Sequence, residues 1–318
     1  VRVVDLGAGR VLASLPGLVR YLRRERPSAM LTSLAHVSVV GVWARRMARV
    51  GTRLVVNEQN TFSLETSNST RRRHRYLPVL TKRFYPWADA IVAVSQGAAD
   101  DLALASGLAP GRIQVVHNPI VTPLLREMAA EPLGSPSFGP WFRPGEPPVL
   151  VAVGRFTPQK DFGTLVRAFA LVRERREARL LILGDGPERG HLEATVARLG
   201  LGESVGLPGW VTNPYPTMVR AGAFVLSSRW EGLPSVLIEA LYCGVPVVAT
   251  DCPSGPVEIL EGGKHGRLVP VGDVEELARG MGSALDGEVP RPTEESWRPY
   301  EQDTVVDRYL SVLVGGRR

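Results

Sequence analysis

Two cations follow an apolar run, at a position where they could hold an anionic ligand. Residues 149–153 have the β-branched composition of a buried strand, and Gly154, Arg155 and Lys160 follow them. An arginine side chain can bind phosphate oxygens through two N–H groups, and a lysine binds them as a point charge. Arg155 and Lys160 could therefore hold a diphosphate, although charge alone favours a solvated loop with two unrelated cations.

Two carboxylates lie near the start of a predicted helix further along the chain. Glu231 falls in the loop after a strand predicted at 223–226, and Glu239 falls about one turn inside a helix predicted at 235–243. The first backbone N–H groups of a helix have no partner within it, so they can bind an anion such as a phosphate. Paired carboxylates also serve glycoside hydrolysis, where they face each other across a sugar, but a position at a helix start favours binding.

Two further loops follow predicted strands. Gly184, Asp185 and Gly186 form a tight turn after 179–183, and glycines in such a turn allow a ligand to approach the backbone. The turn lacks the Gly-x-Gly-x-x-Gly spacing of a dinucleotide site. The run 251–259 follows another apolar strand and is expected to cap the helix after it.

Strands and helices alternate in both halves of the chain, which is typical of parallel sheets with crossover helices. We predict an α/β fold of two Rossmann-like, doubly wound domains that face each other across a cleft. The first domain is expected at 1–118 and the second at 148–290. Seven prolines occur in 119–147, which is predicted to be a linker without a regular element, and 291–318 is expected to cross back to the first domain.

The individual elements are predicted from apolar periodicity. Strands are expected near 1–5, 29–33, 53–57, 90–94, 113–116, 149–153, 179–183, 204–207, 223–226, 246–249 and 267–269. Helices are expected near 15–24, 162–175, 188–199, 235–243, 273–285 and 301–314.

The composition is that of a globular chain. Its 318 residues correspond to about two domains, and 44% of them are hydrophobic. The longest uncharged stretch, 27–44, contains polar residues, so no transmembrane helix is predicted. Cys243 and Cys252 lack metal-ligand spacing, which favours a reducing, cytoplasmic compartment and no metal site. No signal peptide is recognised.

The positive charge is concentrated in the first half. Residues 1–147 carry 19 lysines and arginines against 10 acidic residues, and 148–318 carry 19 against 22. A basic first domain indicates an anionic membrane surface or a lipid-diphosphate ligand, although a solvated surface fits equally well. No binding module or aromatic pattern for nucleic acid accompanies the charge, so nucleic acid is not expected as a partner. The clustered cations are Arg23, Arg24, Arg45, Arg46 and the run Arg71-Arg72-Arg73-His74-Arg75.

Taken together, the motifs of residues 148–285 resemble those of the retaining glycosyltransferases of family 4, also called glycosyltransferase group 1. The most specific element is Glu231 and Glu239 with seven residues between them, in the form that has Gly232 and Pro234 after the first glutamate. The resemblance implies the GT-B fold. It also implies sugar transfer from a nucleotide-sugar donor with retained anomeric configuration, without a required metal or other cofactor.

The other motifs occur in the order that the family shows. Gly154 and Arg155 with Lys160 look like its phosphate-binding loop. The turn 184–186 looks like its nucleotide-side turn, and 254–259 looks like the Ser-Gly-Pro-Arg-Glu-Ile run of some members. The agreement of several weak signals favours a functional role for the two cations.

The resemblance implies a role for each site residue. Arg155 and Lys160 would neutralise the leaving diphosphate. Glu239 would bind the ribose hydroxyls, and Glu231 would bind a hydroxyl of the donor sugar. Because no nucleophilic carboxylate is required, the donor phosphate itself would take the acceptor proton. Backbone groups would contact the sugar and phosphate at Gly232, Leu233 and Ser235, and the base at Val211.

The first domain resembles the family more weakly. Members usually begin with a strand and a glycine-rich loop, and neither precedes Val1, so we expect further residues before it. Gln59 stands where related members carry a histidine that contacts the donor sugar. A glutamine can donate and accept hydrogen bonds but cannot carry a charge. His117 is interpreted as structural.

The sequence therefore predicts transfer of a sugar from a nucleotide-diphosphate sugar, with UDP favoured, in polysaccharide or cell-envelope synthesis. The favoured acceptor is a lipid-linked saccharide or another cell-envelope glycan precursor, met at the inner face of the plasma membrane. Two alternatives stay open. One is a non-catalytic nucleotide-sugar-binding protein, which Gln59 and the missing glycine-rich loop favour, and the other is a nucleotide-sugar epimerase of the same fold.

Overall fold

The chain folds into two compact units in a computed structural model that describes residues 2–67, 76–133 and 138–315. Unit 1 comprises Val1–Asn118 and Asp303–Arg318, and unit 2 comprises Pro119–Gln302. Each unit contains one parallel β-sheet and an apolar core of its own. The predicted α/β class with two sheet domains is confirmed.

Unit 1 is built on a four-stranded sheet with the order β1-β2-β3-β4. Its strands are β1 (Ala29–Ser33), β2 (Arg53–Glu58), β3 (Ala90–Ala93) and β4 (Ile113–Val115). Side chains of β2 and β3 are buried on both faces, as expected for a parallel sheet that helices cover. The buried run of β2 extends to Asn57 and Glu58, so two polar side chains end this strand inside the unit.

The helices described before residue 118 connect these strands. They are α1 (Leu15–Glu25), α2 (Ala35–Ala48), α3 (Phe62–Ser67), α4 (Leu77–Phe84) and α5 (Gln96–Ser106). The apolar side of α1, with Val19 and Leu22, packs on Ala44 and Ala48 of α2. The helical spacing of these apolar residues therefore reflects a buried helix–helix contact.

Residues 2–5 form no strand, so the strand predicted at 1–5 is wrong. Within the described residues they pair with none of the strands, and the side chain of Val3 is 89% exposed. An apolar run forms a strand only where a neighbouring strand supplies hydrogen bonds, and this run has none. In the described part of unit 1, the strand order therefore shows no reversal of the doubly wound kind.

Unit 2 contains a six-stranded sheet with the order β10-β9-β8-β5-β6-β7. Its strands are β5 (Val149–Val153), β6 (Arg179–Leu183), β7 (Val205–Gly209), β8 (Ala223–Leu226), β9 (Val247–Thr250) and β10 (Arg267–Val269). Leu150 of β5 pairs with Leu180 of β6 on one side and with Ala223 of β8 on the other. The strand order thus reverses at β5, and open parallel sheets bind ligands at the C-terminal ends of strands beside such a reversal.

The helices of unit 2 cover its sheet. They are α6 (Pro123–Ala130), α7 (Phe162–Arg173), α8 (Arg189–Arg198), α9 (Tyr215–Val219), α10 (Ser235–Tyr242), α11 (Pro256–Ile259), α12 (Val274–Leu285) and α13 (Glu294–Trp297). Phe169 of α7 and Met281 of α12 are fully buried in the core that includes Leu150 and Val225. This packing fixes the strand ends from which the site loops leave.

The segment 119–147 contains helix α6, where a linker without a regular element was expected. Thr122 accepts a hydrogen bond from the backbone N–H of Leu125 at 3.1 Å, and a proline occupies the first turn. A proline is compatible with the first turn because the N–H that it lacks has no helical partner there. The segment belongs to unit 2.

The chain returns to unit 1 with its last helix, α14 (Gln302–Val314). Val305 and Val312 of α14 share a core with Val55 of β2. The boundary between the units therefore falls after residue 302, where the sequence placed it after residue 290.

Candidate active site

A cavity of about 440 Å³ lies in unit 2, at the C-terminal ends of β5, β6 and β8. Most of the residues singled out in the sequence line it, namely Gly154, Arg155, Lys160, Gly184, Val211, Glu231, Leu233, Pro234, Ser235 and Glu239. Asp185, Gly186 and Gly232, which the structure also describes, lie outside its wall. The motifs of unit 2 are thus gathered around one cavity.

Lys160 and Glu231 form an ion pair in the cavity wall. The loop after β5 carries Lys160, the loop after β8 carries Glu231, and Nζ lies 2.6 Å from Oε1. The side chains are only 17% and 7% exposed. A charge this far from water needs an opposite charge and hydrogen bonds, so each residue holds the other in place.

The two loops are joined by further hydrogen bonds. The hydroxyl of Ser227 donates to the carbonyl of Lys160 at 2.7 Å, and the N–H of Arg229 donates to the carbonyl of Gln159 at 2.8 Å. Nε2 of Gln159 donates back to the carbonyl of Trp230 at 2.9 Å. These hydrogen bonds restrict the backbone of both loops and thereby keep Lys160 and Glu231 in position for their ion pair.

Arg155 differs from Lys160 in being exposed at the cavity. Within the described residues, its guanidinium makes no hydrogen bond or ion pair with another side chain. Its donors therefore remain available to an anionic ligand.

The glycines after β6 allow two protein loops to approach each other. A Cβ on Gly184, whose φ is +142°, would lie 1.9 Å from the carbonyl oxygen of Gly154, and one on Gly186 would lie 2.4 Å from that of Phe156. Packing between two protein loops therefore requires glycine at positions 184 and 186, whether or not a ligand binds there. Asp185 is exposed, and its hydrogen bond from Arg189 holds the pKa of its carboxyl below the usual range.

Helix α10 begins at the cavity. No side chain caps it, and Pro234 and Ser235 at its start line the cavity wall. Its first N–H groups are thus placed for an anion. Glu239 follows one turn later, and burial raises the pKa of its carboxyl to about 7.

Glu239 has two titratable neighbours. Burial, and then the Glu239 charge, raise the pKa of Tyr215 and the pKa of Cys243 to about 12. Among the described residues, no hydrogen bond reaches the Glu239 carboxylate. Its oxygens are therefore available to hydroxyl groups of a ligand.

Val211 lies beyond the end of β7, beside Trp210. The Trp210 side chain is 79% exposed, and both residues line the cavity. The chain reaches this position through Gly209, whose φ of +89° turns it away from the strand. The backbone groups of Val211 are therefore placed where they can contact a flat group of a ligand.

Some residues at this site carried no usable signal in the sequence. Tyr215 and Thr212 line the cavity, but they belong to none of the motifs or elements predicted from the sequence. Ser228 is fully buried, and its hydroxyl donates to Oε1 of Glu231 at 2.6 Å. Its position three residues before Glu231 is a sequence signal that could have predicted a hydrogen bond to the glutamate side chain.

In unit 1, Gln59 follows β2, and its Oε1 accepts a hydrogen bond from Asn118 at 2.8 Å. Its neighbour Glu58 is 1% exposed. Burial, with a smaller effect of Glu65, raises the pKa of Glu58 to about 8. Within the described residues, Oε2 of Glu58 has no hydrogen-bond partner. His117 contacts the carbonyl of Val94 through Nδ1 at 2.9 Å, in keeping with a structural role.

Four of the clustered arginines of unit 1 contact other groups of this unit. Arg45 forms an ion pair with Asp89, and Arg24 forms one with Glu25 at 2.8 Å. Arg46 lies over the ring of Trp87 at 4.5 Å. Arg23 donates to the carbonyl of Met47 at 2.9 Å. The cluster at 71–75 lies outside the described residues.

The described part of the chain holds neither a metal-ligand cluster nor a membrane-spanning helix. No group of three or more histidine, cysteine, aspartate or glutamate side chains there is placed to hold a metal ion. None of the helices there combines the length and apolar character needed to cross a membrane. Cys243 and Cys252 are free thiols.

Two family models match the chain. The one described as glycosyl transferases group 1 matches residues 137–304, which is more than half of the chain. The chain belongs to this family. A second model, described as glycosyltransferase family 4, matches residues 1–123. The family resemblance is thus confirmed, and it includes the first half, where the motifs are weak.

Several curated relatives of this family member are glycosyltransferases. A Campylobacter jejuni protein is named N-acetylgalactosamine-N,N'-diacetylbacillosaminyl-diphospho-undecaprenol 4-alpha-N-acetylgalactosaminyltransferase. It is 31% identical over 243 residues, which are 76% of this chain and 62% of the relative. A lipopolysaccharide 1,6-galactosyltransferase of Salmonella typhimurium is 28% identical over 242 residues, 71% of this chain and 59% of the relative. This chain spans less than two thirds of the length of both relatives.

Solved structures share the fold. The Anabaena protein HepE, in a complex with UDP and glucose, has a TM-score of 0.78 and 21% identity over 99% of this chain and 84% of that one. The apo form of the lipopolysaccharide outer core galactosyltransferase WaaB has a TM-score of 0.70 and 21% identity over 94% of this chain and 80% of that one. The two parallel-sheet units therefore have the GT-B fold, as predicted.

Proposed function

We propose that this protein is a retaining glycosyltransferase that takes a sugar from a UDP-sugar bound in the cavity of unit 2. The observation that carries the proposal is the buried pair of Lys160 and Glu231, with exposed Arg155 on the same cavity. Two cations at the end of β5 fit the two phosphates of a nucleotide diphosphate. UDP is favoured because HepE, a structural neighbour, has been solved in complex with UDP and with UDP-glucose.

In this proposal the protein stabilises the leaving diphosphate. Arg155 contacts it from the open side, and Lys160 contacts it from beside Glu231. Removal of one well-placed donor to a developing anion costs about 3–4 kcal/mol in transition-state stabilisation. The two cations supply the positive charge, so we propose that no metal ion is required and that EDTA leaves activity unchanged.

The start of α10 and its acidic residues hold the rest of the donor. N–H groups near Leu233 and Ser235 bind the sugar and the phosphate, and the Glu239 carboxylate accepts hydrogen bonds from the ribose hydroxyls. Glu231 accepts one from a hydroxyl of the donor sugar. The backbone of Val211 contacts the base.

The reaction proceeds on one face of the donor sugar. The acceptor oxygen forms a bond to C1 as the bond from C1 to the diphosphate oxygen breaks. The acceptor proton passes to the departing phosphate oxygen, so the products are the glycoside and UDP. The anomeric configuration is retained because both bonds lie on the same face.

We propose a lipid-linked saccharide or another cell-envelope glycan precursor as the acceptor. The name of the Campylobacter relative contains a diphospho-undecaprenol saccharide, and that of the Salmonella relative contains lipopolysaccharide. An acceptor of this kind lies at a membrane, and exposed cations of unit 1 such as Arg46 would favour an anionic surface at the cytoplasmic face. In a co-sedimentation experiment, we expect the protein to sediment with anionic vesicles and not with neutral ones.

The test is a transfer assay with UDP-glucose, UDP-galactose and their N-acetyl forms, with undecaprenyl-diphosphate saccharides as acceptors. We expect one donor to be used and NMR of the product to show the anomeric configuration of that donor. Glu231→Gln should lower turnover by about 10²-fold or more. The control Glu203→Gln changes an exposed carboxylate of unit 2 outside the cavity and should leave turnover unchanged.

Three results would count against the proposal. An inverted product would contradict the retaining mechanism. Donor binding without turnover on any acceptor would favour the non-catalytic alternative, and conversion of the donor sugar without an acceptor would favour the epimerase.

A further inference from the structure

Residues 250–255 contact the loop that carries Glu231, and we call them the supporting segment. They comprise the end of β9 and the turn that leads into α11. None of these residues, all of which the structure describes, contributes to the cavity wall. Any effect of the supporting segment on a ligand must therefore pass through the residues that it contacts.

The first contact reaches the Glu231 side chain through a serine. The hydroxyl of Thr250 donates to the carbonyl of Ser228 at 2.6 Å, and the hydroxyl of Ser228 donates to Oε1 of Glu231 at 2.6 Å. Thr250 is 1% exposed and Ser228 is 0% exposed. Water is excluded from both groups, so loss of one hydrogen bond would leave a buried polar group without a partner.

The second contact holds the backbone of Glu231. Its N–H donates to the carbonyl of Pro253 at 3.3 Å. The third contact lies at the start of α10, where a Cβ on Gly255 would be 2.5 Å from Cδ of Pro234 and 3.1 Å from the carbonyl oxygen of Gly232. Only a glycine allows the two loops to lie this close.

The backbone of the supporting segment is strained where it makes these contacts. Ser254 has φ +65° and Gly255 has φ +88°, so two successive residues adopt positive φ values. For a serine this conformation costs free energy that the surroundings must offset. The close approach of Gly255 to the start of α10 depends on this turn.

We propose that the supporting segment positions the donor site: it fixes Glu231 and the first residues of α10, and it thereby sets the affinity for the nucleotide sugar. The inference rests on the proposed function for what the cavity binds. The three contacts described above fall on residues 228–234, the stretch that carries the proposed sugar and phosphate contacts. Sites of this kind lose affinity when such support is loosened, because small displacements misplace the binding groups.

The test compares two buried threonines of unit 2. Thr250→Val removes the hydroxyl that donates to Ser228, and Thr195→Val removes one that donates to the carbonyl of His191 at 2.9 Å inside α8. Both side chains are at most 2% exposed, so each variant loses a buried hydrogen bond to a backbone carbonyl. Thr250→Ser keeps the hydroxyl and serves as the rescue.

The readouts are calorimetric affinity for whichever of UDP, GDP and ADP binds the unaltered protein, thermal midpoint, and hydrogen exchange of 228–235. We expect the two valine variants to lose similar thermal stability. Only Thr250→Val should weaken nucleotide binding, by about tenfold, and speed exchange in 228–235. Thr250→Ser should bind within about twofold of the unaltered protein.

A second pair of variants tests the contact at α10. Gly255→Ala introduces a Cβ into the 2.5 Å contact, whereas Gly262→Ala adds one at φ +67° with nothing within 4 Å. Weaker nucleotide binding is expected for Gly255→Ala alone. If Thr250→Val and Thr195→Val bind the nucleotide equally well, the positioning role is overturned. If the unaltered protein binds no nucleotide, the proposed function itself fails.

Discussion

Glu239 makes donor binding sensitive to pH in the neutral range. Burial raises the pKa of its carboxyl to about 7, and the carboxyl faces the cavity. In the ionised form both oxygens accept hydrogen bonds from ribose hydroxyls. With a pKa of about 7, roughly one molecule in eleven is ionised at pH 6 and about ten in eleven at pH 8. The apparent Kd is the intrinsic Kd divided by this fraction, so the Kd for UDP should fall about tenfold from pH 6 to pH 8.

Calorimetric titration of UDP at pH 6, 7 and 8 measures this change. The terminal phosphate of UDP also ionises near pH 6, and this contribution is the same for every variant. Glu239→Gln keeps the shape of the side chain but cannot ionise, so its Kd should lack the tenfold component. The exposed Glu203→Gln should keep the full pH dependence. Parallel pH dependence in the unaltered protein and in Glu239→Gln would refute the reasoning.

Three further predictions concern stability and the loops. Truncation of one partner of the Lys160–Glu231 pair leaves a buried charge, so Lys160→Met should lower the free energy of unfolding by about 3–5 kcal/mol in urea titrations. Adding Glu231→Gln to this variant should restore most of the lost free energy. An unchanged urea midpoint for Lys160→Met alone would contradict this prediction. In the folded protein the pKa of Glu58 is about 8, above the ordinary 4.5. The contribution of this carboxyl to the free energy of unfolding is therefore complete below pH 4.5 and is lost as the pH rises to about 8. Glu58→Gln should therefore stabilise the protein by about 3 kcal/mol at pH 7, with little gain at pH 4, and equal gains at both pH values would argue against the raised pKa. A Cβ on Gly184 meets a carbonyl oxygen at 1.9 Å, so Gly184→Ala should lower the thermal midpoint and abolish UDP binding, whereas Gly200→Ala, at φ +68° with nothing within 4 Å, should still bind UDP.

Strands β5 and β6 of unit 2 could be predicted closely because each is a short run of β-branched and aliphatic residues between turns. The predicted bounds of β5 and β6 agree with the structure at 149–153 and 179–183. The run 1–5 has similar composition but no strand beside it, and composition does not report the partner. The prolines of 119–147 predict a loop, but Thr122 before a proline is also a helix-start signal, and α6 begins there.

The residue types of the candidate site could be predicted, but their contacts could not. Lys160 and Glu231 are 71 residues apart, and their ion pair depends on β8 lying beside β5. Strand order follows from packing in three dimensions, which local spacing does not encode. For the same reason, the hydrogen bond from Thr250 to Ser228 had no counterpart in the motifs.

The most direct test of the donor site is calorimetric titration with UDP, GDP and ADP, using the unaltered protein and Arg155→Ala. Arg155 is exposed at the cavity, so its removal should disturb the fold little and remove one contact to the diphosphate. We predict that UDP binds selectively and that Arg155→Ala weakens binding by about tenfold or more. Absence of binding by all three nucleotides, or equal UDP affinity in Arg155→Ala, would contradict the assignment of this cavity to the donor.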